Sequence, residues 1–82
     1  MIVLLVGEAV RLRILELCDK NNITINKLGT ICGITQSTLN NIVSGRNTAN
    51  TSTIKKICDG LNMQIEEFWA CDLFRNLEPE VR

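Results

Sequence analysis

Two short stretches of this chain are punctuated alike, and that punctuation limits the fold more than any other feature. Thr24 precedes INKLGTIC and Gly33 follows it; Thr35 precedes QSTLNNIVS and Gly45 follows that. A threonine hydroxyl accepts a backbone N–H from the first turn of a helix, and glycine takes the left-handed conformation that closes one. Each stretch therefore predicts a short helix with a defined start and stop. Ile25, Leu28 and Cys32, then Leu39, Ile42 and Val43, recur at the spacing of one helical face. The earlier helix spans barely two turns. Gly29 within it costs about 1 kcal/mol against alanine, which predicts another helix crossing close by.

The remainder reads as helix too. Val10, Ile14, Leu17 and Cys18 mark the buried face of a helix from about Val6 to Lys20, stopped at Asn21 and Asn22. Behind an Asn50 cap, Ile54, Ile57, Cys58 and Leu61 show the cleanest periodicity in the chain, and Asn62 can close that helix in the left-handed conformation. A short fifth helix is expected to turn Ile65, Phe68 and Trp69 into the core, and Pro79 discourages helix beyond Glu78. The one plausible strand is the apolar run 2–6. The fold class is all-α. At 82 residues, 45% of them hydrophobic, there is material for a single core. We expect one domain over 1–82, with its core at 7–69 and a C-terminal extension at 70–82.

Composition excludes several functions. The apolar run 2–6 is far short of the about 20 residues that span a membrane, and it lacks a signal peptide's basic lead, so a cytoplasmic location is expected. Cys18, Cys32, Cys58 and Cys71 are spaced without a CxxC pair and histidine is absent, so no metal or cofactor site is expected and the thiols read as reduced core residues. Without His, Tyr, a glycine-rich phosphate loop or paired carboxylates beyond Glu66 and Glu67, nothing supplies a general base or a small-molecule substrate site, and the expectation is no enzyme.

Charge is zero overall but unevenly placed. Residues 1–56 carry +4 and residues 57–82 carry −4, while 20–56 holds Lys20, Lys27, Arg46, Lys55 and Lys56 with no acid. Local fields of this kind decide partners.

The helix pair across Gly33 reads as a helix-turn-helix. Its second helix, residues 35–44, carries Gln36, Ser37, Thr38, Asn40, Asn41 and Ser44 away from its apolar face. Solvated faces usually carry Lys and Glu; this one has neither, and basic residues flank it. Gln36 and Asn41 can contact adenine edges bidentately, and Ser37 can donate or accept in a major groove.

The run TINKLGTICGITQSTLNNIVSGRN, continued by STIKKICDGLNMQIEEFW, resembles the five-helix domain of Xre- and Cro-type regulators and phage repressors, over roughly residues 7–69. The resemblance implies a compact five-helix repressor-like fold, with Gln36, Ser37 and Asn41 facing bases and Thr38 and Asn40 beside backbone or bases. Phosphates would be anchored near Thr24, Lys27 and Thr35 and in the loop of Ser44, Arg46 and Asn47, helped by backbone N–H groups at the helix starts. It also implies a homodimer on a pseudo-palindromic double-stranded DNA operator, its recognition helices about 34–36 Å apart. The dimer would use the run 1–6 or the segment containing Trp69, Leu73, Phe74 and Leu77.

Four positions depart from the family pattern, two of them jointly. Ile25 replaces a frequent glutamine, and Ala49 a frequent proline. Cys18 and Val43 stand where several phage repressors place an arginine–glutamate bridge, so both partners have become apolar together and should touch. The rival reading is a protein-interaction module of the same fold, antitoxin-like or a phage accessory protein, without base reading.

Overall fold

The computed structural model describes residues 3–81. Among them are five α-helices, α1 (Val6–Lys20), α2 (Ile25–Cys32), α3 (Gln36–Val43), α4 (Thr51–Gly60) and α5 (Ile65–Trp69), then a 3-10 turn over Asp72–Phe74. No strand occurs among the described residues, and the fold is all-α as expected. Residues 3–5 of the apolar run are irregular and Val6 already belongs to α1, because the helical spacing of Val6 and Val10 against the core outweighs the run's strand propensity. Met1 and Ile2 lie outside the described residues.

The helix starts follow from side-chain chemistry. Thr24 accepts the Lys27 N–H at 3.1 Å, Thr35 accepts that of Thr38 at 3.2 Å, and Asn50 accepts that of Thr53 at 2.8 Å. The ends use residues that tolerate positive φ: Gly33 (68°) after α2, Gly45 (86°) after α3, Asn22 (57°) after α1 and Asn62 (55°) after α4. After α1 the Ile23 N–H reaches back to the Cys18 carbonyl at 3.0 Å, and after α4 Met63 does the same to Cys58 at 2.9 Å.

The core is shared by all five helices. Val10, Ile14, Leu17 and Cys18 of α1 meet Leu28 and Cys32 of α2, Leu39 and Ile42 of α3, Ile54, Ile57 and Cys58 of α4, and Phe68 of α5. Cys18 is buried and Val43 is half-buried against this cluster, so both replacements lie on the apolar side. Helices α2 and α4 come close at Gly60, where an added Cβ would stand 2.4 Å from Cys32 Sγ and 3.1 Å from Cys32 Cα. At Gly29 the close neighbours are the Ile34 carbonyl oxygen of the turn and the side chain of Gln36, the first residue of α3.

Helix α5 departs from expectation. Phe68 is fully buried, but Ile65 and Trp69 are 37% and 39% exposed. A five-residue helix has one turn and presents one residue inward. Trp69 packs sideways, its ring centroid 4.7 Å from Phe74 and 5.2 Å from Phe68. The segment after α5 thus lies on the domain: Phe74 joins the core edge, Leu73 and Leu77 are half-buried, and the Glu78 N–H donates to the Leu4 carbonyl at 2.8 Å. Leu61, at the α4 cap, is also only half-buried.

Arg13 was not anticipated as a core residue. It is 6% exposed, and its guanidinium donates to the carbonyls of Phe68 and Glu67 at 2.8 Å each and to the Glu16 carboxylate. Three acceptors satisfy the fork, which makes burial of this charge tolerable.

Candidate nucleic-acid interface

Helix α3 is held by two buried side chains, Leu39 and Ile42, which fix the face it turns outward. Ser37, Asn40 and Ser44 are exposed along that face, with Asn41 half-buried beside them and Thr35 and Thr38 exposed at the start. The spacing 37, 40, 41, 44 is one helical stripe, and it carries no acid.

The turn that places α3 against α2 is tight. Gly33 adopts φ 68° and the Ile34 N–H closes on the Gly29 carbonyl at 2.9 Å, while the Ile34 side chain is buried. Burying that side chain pins the angle between the two helices. The exposed first turn of α2 brings Thr24 and Lys27 to the same region of sequence, with the first backbone N–H groups of the helix pointing outward from its positive end.

On the far side, the loop after α3 is organised by Asn41. Its carbonyl accepts the N–H groups of Arg46 (2.9 Å) and Asn47 (3.1 Å) and the Ser44 hydroxyl (3.2 Å), and its side-chain Oδ1 accepts from Arg46 Nη1 at 3.3 Å. The exposed Arg46 is therefore oriented by a residue of the polar stripe. A shallow hollow beside α3 is lined by Thr38, Asn41, Asn47, Thr48, Asn50 and Thr53, with Ile42 at its side. The flanking cations Lys27, Arg46, Lys55 and Lys56 are all exposed, and Lys55 is engaged with Asp59 at 2.6 Å, which raises its pKa.

Gln36 is placed differently from its neighbours. Its Nε2 donates to the Asn26 carbonyl at 3.0 Å, so the amide lies back across α2, half-buried, with Oε1 enclosed and without a hydrogen-bond partner. Sequence reading overlooked Asn26 and Gly29 as the seat of this side chain. The signal was Gly29 itself, a helix-interior glycine ahead of a long polar residue at the next helix start.

Two capped helices crossing a glycine turn, with an acid-free polar face outward, define a helix-turn-helix DNA-binding module. Residues 13–72 match the family model of the Cro/C1-type HTH DNA-binding domain, and the chain belongs to that family. The fold is similar to the crystal structure of the prophage Lp1 protein 11, with a TM-score of 0.75 and 33% sequence identity over 87% of this chain and 95% of that one. No curated protein matches the sequence. The family resemblance expected from the sequence is thereby established, and the chain is a DNA-binding protein and not an enzyme. No helix among the described residues is long and apolar enough to cross a membrane.

Proposed function

We propose that the protein is a small transcriptional regulator that binds double-stranded DNA in a sequence-specific manner, with α3 and its flanks, residues 35–44, in the major groove. The single observation that carries this reading is the acid-free stripe Ser37, Asn40, Asn41, Ser44 on a helix whose opposite face is locked into the core. Base edges are read by Ser37 and Asn41, and by Gln36 once its amide leaves Asn26. Thr24, Lys27, Thr35, Thr38, Asn40, Ser44, Arg46 and Asn47 meet or border the phosphates and fix the register.

The protein acts as a homodimer on a pseudo-palindromic site. Val3, Leu5 and Trp69 support this, since they remain 43%, 44% and 39% exposed after the C-terminal segment has packed. Retention of DNA fragments at two salt concentrations with competitor present tests the reading. A few fragments selectively retained support it; loss of all binding with salt and no selectivity refutes base reading.

A further inference from the structure

The seat of Gln36 is built for an amide but satisfies only half of it. Nε2 donates to the Asn26 carbonyl at 3.0 Å, whereas Oε1 is buried with no donor. The opposite amide orientation is worse, because it would set Oε1 against the Asn26 carbonyl, acceptor on acceptor. A buried acceptor without a partner weakens the state that contains it. A side chain at residue 29 would displace the amide from this seat: an added Cβ would stand 2.5 Å from Gln36 Nε2 and 3.4 Å from its Cδ, as well as 3.0 Å from the Ile34 carbonyl oxygen.

We infer that Gly29, which is buried within α2, is a specificity-determining residue: its missing side chain lets Gln36 park on α2, withdrawn from base reading until a base edge offers the donor that Oε1 lacks. This rests on the proposed reading of bases by α3. Adenine presents an N6–H donor and an N7 acceptor side by side, which would pair both ends of the amide. Duplexes with adenine at that point therefore draw Gln36 out, and others leave it parked. Because the reading-competent conformer is a minor one in the free protein, apparent affinity is reduced by its population.

The test is a double-mutant cycle on the full chain. Duplexes are first selected from a randomised pool with the wild-type protein, and binding of the selected duplex is then measured for Gly29→Ala, Gln36→Ala and the double variant. Gly29→Ala should bind about three- to tenfold tighter, by removing the parked state. Gln36→Ala should lose about tenfold preference at one base pair, and in that background the alanine at 29 should change nothing. Equal effects of Gly29→Ala in both backgrounds, or an unchanged base preference in Gln36→Ala, overturn the inference while leaving sequence-specific binding intact. A wild-type protein that selects no sequence overturns both. Should Gly29→Ala not fold, nuclear Overhauser contacts between the Gln36 side-chain amide and Gly29 in the wild type decide. They should be present in free protein and lost on the selected duplex; contacts that persist on the duplex overturn the parking model.

Discussion

Arg13, buried in the middle of α1, donates from Nε to the carbonyl oxygen of Phe68 at 2.8 Å and so pins the end of α5 to the first helix. Its Nη2 takes the Glu67 carbonyl at the same distance, and its carbon Cζ lies 6.0 Å from the Phe68 ring centre. At the end of α5 the guanidinium supplies the Phe68 carbonyl with a donor and adds to the Ala70 N–H that the Glu67 carbonyl accepts at 3.3 Å. Replacing Arg13 with methionine should lower stability by about 1–3 kcal/mol, chiefly by stranding the Phe68 carbonyl, since that of Glu67 keeps the Ala70 N–H at 3.3 Å. Urea denaturation followed by circular dichroism measures this. Lysine at 13 should recover little, because an ammonium cannot reproduce the fork.

Glu16 gives the same contact a pH dependence. The hydrogen bond from Arg13 holds the Glu16 carboxyl below its ordinary value of 4.5, with partial burial opposing. A lowered folded pKa means the stabilisation is present above the ordinary value and is lost as pH falls through the folded one. Denaturation midpoints taken from about pH 6 to about pH 3 should therefore drop, and the drop should be shallower in Glu16→Gln. An identical slope in the variant would show that other carboxylates carry the acid response.

The cysteines should behave as core residues. Cys18, Cys32 and Cys58 are buried and free, and burial pushes all three thiols above the ordinary 9.0. Cys71 is half-buried, its Sγ donating to Glu16 Oε1 at 3.6 Å. A thiol reagent should titrate one group quickly in the folded protein and four after unfolding. Stability should also fall as pH rises past about 9, since the unfolded thiols ionise first and favour the unfolded chain.

For Arg46 the expected effect lies in salt dependence. Arg46→Ala should weaken binding to every duplex alike and reduce the slope of log affinity against log salt by about one. Filter binding at several salt concentrations reports both. Loss of base preference in this variant would instead mean that its contact with Asn41 Oδ1, at 3.3 Å, orients the reading amide.

How much of this was legible in the sequence depends on how local the determining forces are. The starts of α2, α3 and α4 were, because Thr24, Thr35 and Asn50 each bond within their own first turn. The left-handed closures at Gly33 and Asn62 were too. Arg13 could have been found, since it falls in the stripe of Val10, Ile14 and Leu17, but its partners on α5 are distant in sequence. Trp69 was misplaced inward because its packing is set by Phe74, beyond the helix. For the polar stripe, spacing gave the face that carries Ser37, Asn40, Asn41 and Ser44. It did not give the rotamer of Gln36, which depends on a carbonyl of α2 and on the space above Gly29.

The most direct measurement is selection from a pool of randomised duplexes, followed by binding of the enriched sequences to wild type and to Ser37→Ala and Asn41→Ala. The expected result is a small set of related, two-fold symmetric sequences bound far more tightly than the pool, with discrimination reduced at single base pairs in each variant by about 1–3 kcal/mol. Enrichment of no sequence, or variants that bind the enriched duplexes with unchanged preference, would contradict base reading by α3.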